Sequence, residues 1–160
     1  MKSKMCPECG GPVTIKKYRH VENVGGVKVS DETALRPQCS QCGNVDLTLG
    51  QLEGYERRAA ALVLERVLHA SGAMLRYARK ALGITQADLD KLIGHEPETV
   101  SRWENDKRPI ERAEQLALVA LLDLVESHGL NIRDLLNAYE SNSKKAPPKE
   151  LEVVASDEAA

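Results

Sequence analysis

The apolar positions of this chain change their period near residue 50. Before it, Val13 and Ile15, then Val27 and Val29, alternate with polar residues. That period of two belongs to half-buried strands. Gly25-Gly26 falls between the two runs and predicts a tight hairpin. Beyond residue 50, Leu52, Tyr55, Ala59, Leu62, Val63, Arg66 and Val67 recur at helical spacing. They predict a helix over 51–69, ended by Gly72, that joins the halves either as a rigid linker or as a dimer contact.

The helical period then continues in shorter pieces. Leu75, Ala78 and Leu82 form one face of a helix ended at Gly83. Thr85 is an N-cap with Asp88 three residues on, a capping-box arrangement with Asp in place of the usual Glu. Leu89, Leu92 and Ile93 face the core, and Gly94 ends this second helix. Pro97 suits the first position of a third helix, with Val100 and Trp103 inward. Two short helices joined by a tight glycine turn are a helix-turn-helix. A fourth helix follows over 111–127, with Leu116, Ala117, Ala120, Leu121 and Leu124 as its core stripe. Leu118, Leu122 and Val125 widen the stripe, so this helix has a surplus apolar face for a second subunit. A fifth helix is capped by Asn131, with Leu135 and Leu136 apolar.

The fold class is therefore α+β: a small N-terminal β-rich, zinc-ribbon-like domain and an all-α five-helix domain. The expected segments are 1–50, a connecting helix 51–69, a helical domain 70–140 and a disordered tail 141–160. Within the tail, Leu151-Glu-Val-Val154 could pair onto a partner's sheet edge.

Composition changes this picture in two places. The chain has 160 residues, no Phe and one Trp, so its core must be aliphatic. Its net charge of −2 hides an uneven distribution. Residues 1–50 hold seven Lys/Arg against five Asp/Glu (+2), and residues 70–109 seven against six (+1); residues 110–160 hold five against ten (−5). Contact with a polyanion must come from a few placed cations rather than from a basic surface. No run reaches about 18 uncharged apolar residues and the N-terminus is polar, so neither a membrane span nor a signal peptide is expected. The expected location is cytoplasmic, where thiols stay reduced.

The four cysteines form two pairs, Cys6-Pro-Glu-Cys9 and Cys39-Ser-Gln-Cys42, with 29 residues between Cys9 and Cys39. Each pair is followed by glycine, at Gly10 and Gly43. Two such turns aim four thiolates at one tetrahedral ion, which suits one structural Zn²⁺ per chain. A redox disulfide and an iron–sulfur site are the alternatives. Four thiolates leave no open position for water, so the metal folds the segment and does no chemistry. A segment of 50 residues this poor in apolar side chains needs that support. His20, His69, His95 and His128 lack ligand spacing. No nucleophile–base motif or phosphate loop is present, so no enzyme is expected.

The run "TQADLDKLIG…PETVSRWENDKRP" resembles the XRE/Cro-type DNA-binding family over about 60 residues. It departs at Asp90, where that family usually has Ala, and at Asp106, where it usually has Gly. The resemblance implies that the third helix enters a major groove. Glu98, Thr99 and Arg102 then face outward. Arg102 is the leading base reader, because its fork takes guanine O6 and N7 together. Glu98 either accepts from a cytosine amino group or is a first-turn carboxylate favoured by the helix dipole. Thr99 could touch a thymine methyl. Gln86 would hold a phosphate with the helix amides, and Ser101, Asn105, Lys107 and Arg108 are backbone contacts. Asp90 is expected at a less buried edge, Asp106 in a left-handed conformation, and Trp103 in the core.

Cys6, Cys9, Cys39 and Cys42 before this domain make the whole similar to the MqsA-type (YgiT-type) zinc-finger/helix-turn-helix antitoxins. That resemblance implies a homodimer on a palindromic double-stranded operator and a zinc domain that clamps a ribonuclease toxin. By resemblance, Glu98 and Arg102 match the family's base contacts; the family has Asn where Glu98 stands, so the operator sequence does not transfer. The expected function is an autorepressing antitoxin, and the alternative is a stand-alone transcription regulator with no toxin.

Overall fold

The computed structural model describes residues 5–32, 35–44 and 49–142. Its first part is a ribbon made of two successive two-stranded antiparallel sheets. β1 (Val13–Lys17) pairs antiparallel with β4 (Leu35–Cys39), and β2 (His20–Val24) with β3 (Val27–Asp31). The β1–β4 pair forms the base, which carries the cysteines, and β2–β3 forms the tip. The tip turns at Gly25 and Gly26, whose φ values of 57° and 97° are costly for any residue with a Cβ. Asn23 secures it by accepting from the Gly26 N–H at 2.7 Å.

Six helices follow: α1 (Leu49–Arg66), α2 (Gly72–Ala81), α3 (Gln86–Ile93), α4 (Thr99–Glu104), α5 (Arg112–His128) and α6 (Ile132–Asn142). The α+β class and the five helices expected beyond residue 70 are present. α1 is not a spacer, however. Tyr55, Ala59, Ala60, Val63 and Leu64 are all buried in one core with residues of α2 and α5. Nor does Gly72 end it. Arg112 and Gln115 of α5 donate to the Leu64 and Val67 carbonyls at 2.7–3.2 Å and close the helix from outside. Gln115 is wholly buried and also accepts from the Ala70 N–H, so every polar atom of its amide is engaged.

Gly72 instead opens α2. A Cβ there would lie 2.5 Å from the Glu104 carbonyl oxygen and 2.6 Å from that of Trp103. The glycine lets the start of α2 meet the end of α4 backbone to backbone.

The inward face of α5 also differs from expectation. Gln115, Leu118 and Leu122 are buried, whereas Leu116 and Leu124 are exposed at 46% and 41%. A helix apolar around most of its girth carries no period to choose between faces, and packing on α1 made the choice. α6 packs on α3, with Ile132 and Leu136 buried. Ser141 and Asn142, expected in the tail, still belong to α6; the rest of that tail, including 151–154, lies outside the described residues.

The ribbon tip and the helices share this core. Val24 is fully buried in it, and a Cβ on Gly25 would strike Met74 of α2 at 2.5 Å. Burial of Val24 contributes about 1.5–3 kcal/mol. Tyr55 of α1 donates its hydroxyl to the Val29 carbonyl at 3.2 Å, and its ring meets His20 edge-on at 4.1 Å. No described helix is long and apolar enough to cross a membrane.

Candidate functional site

Two groups of side chains carry candidate chemistry. The first is the cysteine cluster at the ribbon base. Each Cys-x-x-Cys-Gly segment folds into the same knuckle. Gly10 N–H donates to the Cys6 carbonyl at 2.9 Å, and Gly43 N–H to that of Cys39 at 3.1 Å. Gly10 and Gly43 have φ near +70°, the left-handed turn that bends the chain back under its sulfurs. The β1–β4 pairing then brings the knuckles face to face. Cys6 and Cys42 Sγ are 3.7 Å apart, Cys9 and Cys39 Sγ 3.5 Å.

All four sulfurs lie within 4.8 Å of one another. This is the donor set expected from the spacing, and it could hold a metal ion. The backbone N–H groups of Cys42 and Gln41 pull the Cys39 thiol down to about 6. For Cys9, the Gly11 N–H is the largest influence and lowers the thiol; the neighbouring sulfurs of Cys39 and Cys42 outweigh it and push Cys9 up to about 12. The Cys9 thiol, so raised, gives up its proton readily only when a cation joins the cluster, which is how thiolate sites favour metal.

The second group lies on α3, α4 and the turns around them. Thr85 caps α3: its hydroxyl accepts from Asp88 N–H, and Asp88 accepts from Thr85 N–H at 3.0 Å. The Thr85 hydroxyl, donating to Asp88 Oδ2 at 2.7 Å, and then the Thr85 N–H hold the Asp88 carboxyl below its usual range. Gly94 closes α3 in a left-handed conformation. α4 starts at Thr99 rather than at Pro97, after Glu98 at φ 71°. That late start rotates the first turn, so Thr99 joins Val100 and Trp103 on the inward side and is only 4% exposed. Thr99 therefore presents no methyl to a groove.

Asp90 overturns its expectation as well. It is 4% exposed, and its carboxylate accepts from Glu98 N–H at 3.1 Å and from Val100 N–H at 2.9 Å. Trp103 points inward as expected and packs edge-on against His95 at 5.1 Å.

The remaining candidates share the outer side. Glu98, Arg102, Asn105, Lys107 and Arg108 are exposed, and Ser101 is half-buried. Arg102 Nη2 lies 3.7 Å from Glu98 Oε2, an exposed pair worth about 0–1 kcal/mol that a nucleic-acid partner can displace. Lys107 N–H donates to the Arg102 carbonyl at 2.9 Å and Arg108 N–H to the same oxygen at 3.3 Å, so both cations stand on the turn that closes α4. Asp106 sits in that turn at φ 53° and accepts from Gly72 N–H at 2.7 Å.

Gln86, at the start of α3, donates to Glu104 at 2.7 Å. Glu104 is the centre of a buried network that sequence reasoning missed. Arg79 of α2 grips its carboxylate with two bonds, 2.5 Å from Nε and 3.1 Å from Nη2. Arg76 donates to the Glu104 carbonyl oxygen at 2.8 Å. Burial alone would raise the Glu104 carboxyl; the bonds from Arg79 and Gln86 and the charges of Arg79 and Arg76 more than offset it, and the group is held low. The only hint in the sequence was Arg79 standing beside Ala78 on an otherwise apolar helix face.

The family model for helix-turn-helix proteins matches residues 75–124, from the middle of α2 into α5.

This segment is an XRE-type helix-turn-helix domain.

No curated protein matches the chain. The helix-turn-helix domain holds both short helices, the Glu104 network and every cation of the outer side, and it supports a DNA-binding regulator.

Proposed function

We propose that the protein is a sequence-specific transcriptional repressor that binds a palindromic operator as a homodimer. One observation carries this reading: Arg102 on the short helix α4, Asn105 at its C-cap and Lys107 and Arg108 in the turn that closes it are all exposed, while Trp103 and Glu104 lock the helix from the inside. Arg102 reads guanine, and Gln86, Ser101, Asn105, Lys107 and Arg108 hold phosphates. Glu98 steers Arg102 and rejects misplaced phosphate. The apolar outer face of α5, with Leu116 and Leu124 exposed, supports pairing with a second copy. The protein is not an enzyme in this reading, and its location is cytoplasmic.

A gel-shift series on the promoter upstream of its own gene tests the DNA half. Arg102→Ala should cost about 1–3 kcal/mol at one base pair and relax specificity there. Lys107→Ala should weaken binding to every sequence and lower the salt slope by about 1. Unchanged affinity in both variants would remove the groove assignment.

Within this reading the chain is the antitoxin of a type II toxin–antitoxin system. Cys6, Cys9, Cys39 and Cys42 hold one structural Zn²⁺, and the ribbon base clamps the toxin. Two things support this: the resemblance carried by the cysteine spacing, and the surface beside the cluster. Ile15 and Leu35 are 64% and 60% exposed. The register puts Ile15 opposite Pro37 and Leu35 opposite Lys17, so both residues lie on one face of the ribbon. Bare apolar side chains on a two-stranded ribbon suit a protein partner. An Ile15→Glu/Leu35→Glu double variant should lose a small co-encoded ribonuclease in co-purification and keep its DNA affinity. A wild-type chain that co-purifies with no such protein would favour the stand-alone regulator.

A further inference from the structure

We propose that Asp90 is the residue that sets the reading position of α4, a positioning role that rests on the DNA-binding reading above. α4 has no cap of its own: Glu98, its preceding residue, makes no capping bond with its side chain. The cap comes from another helix. Asp90 of α3 accepts from Glu98 N–H through Oδ2 and from Val100 N–H through Oδ1. One buried carboxylate thus takes two of the N–H groups that a helix start leaves without partners. It also sits where the helix dipole favours negative charge.

The grip has a conformational consequence. Glu98 stands at φ 71°, a left-handed conformation that a residue with a Cβ adopts at a cost. The bond from its N–H to Asp90 holds it there. With Glu98 so held, the first turn of α4 buries Thr99 and Val100, leaves Ser101 half-buried and turns Arg102 outward. The outward direction of Arg102 is therefore set twelve positions earlier, by a side chain that never meets DNA. The alanine usual at this place in the resembling family has no acceptor for either N–H. In this chain the residue at 90 and the entry into α4 form one unit, and changing the first redirects the second.

The test compares wild type, Asp90→Ala and Asp90→Asn, all as full-length metal-loaded protein. A selection from random duplexes first gives the preferred site of the wild type. Affinities for that site and for a scrambled duplex are then measured over a range of salt. Asp90→Ala should lose about 10- to 100-fold on the preferred site and less than about twofold on the scrambled duplex, with an unchanged salt slope. A merely destabilised protein would lose on both in proportion to its unfolded fraction. Asp90→Asn, which keeps one good acceptor, should fall between the two. Amide spectra add a readout that needs no DNA: Glu98 and Val100 N–H signals should move upfield and exchange faster in Asp90→Ala while those of α5 stay in place. If Asp90→Ala does not fold, the same signals in Asp90→Asn decide. Wild-type discrimination in a folded Asp90→Ala, or unmoved Glu98 and Val100 signals, would overturn the proposal. A wild type that selects no sequence would overturn the DNA reading, and the amide signals would still judge the grip of Asp90.

Discussion

Glu104→Ala should lower the unfolding free energy by about 3–5 kcal/mol, because it leaves a buried guanidinium without its partner. The Arg79 side chain is 13% exposed and that of Glu104 1% exposed, so water cannot replace what is lost. Gln86 would lose its acceptor and Arg76 an ion-pair partner in the same step. The check is a urea unfolding series, in which the midpoint should fall with little change in slope. Replacing both partners, as Arg79→Met/Glu104→Leu, should recover much of the stability while leaving Gln86 unanchored. Full stability of the single variant would show that the network is ornamental. The pH dependence has a definite sign. The folded carboxyl is held below its usual value, so its contribution is complete above the ordinary glutamate range. It is lost as pH falls through the depressed folded value. The gap between wild type and Glu104→Ala should accordingly close in acid and stay constant near neutrality.

On the zinc assignment proposed above, Cys39→Ser should remove the metal altogether. Structural zinc sites of this donor type contribute roughly 10–16 kcal/mol of apparent binding free energy near neutral pH, coupled to folding of the segment that holds them. Elemental analysis should fall from about one zinc per chain to none, and β1 and β4 should lose their protected amides. The ribbon tip has its own anchor in Val24, Gly25 and the Tyr55–Val29 bond. The β2–β3 amides should therefore stay protected, and operator affinity should change by less than about fivefold. A collapse of helical stability in this variant would mean that the tip relies on the metal too. Retention of one metal with three cysteines would remove the four-sulfur assignment.

What could be read from the sequence was local. The cysteine pairs, the Gly25-Gly26 turn, the Thr85–Asp88 box and the Gly94 stop each act within a few residues, and their chemistry is visible in order. Trp103 was legible because Val100 shares its helical face. The failures share a different cause. Thr99 turned inward because α4 begins two residues late, and that start is decided by Asp90 across a turn. Asp90 looked like an edge residue because a lone carboxylate is normally solvated; only the neighbouring helix supplies its two donors. Gly72 read as a stop signal, yet its missing side chain answers to carbonyls more than thirty residues away. Leu116 and Leu124 of α5 were assigned to the core because nothing in an evenly apolar helix says which neighbour comes first.

The end of α1 has a practical meaning. Arg112 and Gln115 already seal its last carbonyls from another helix. The bend that follows is thus relieved of any duty in finishing the helix, and Leu68 stands 71% exposed within it. A reporter peptide spliced in at that corner would hang in solvent, leaving the sulfur cluster and the cationic turn free to be watched at work.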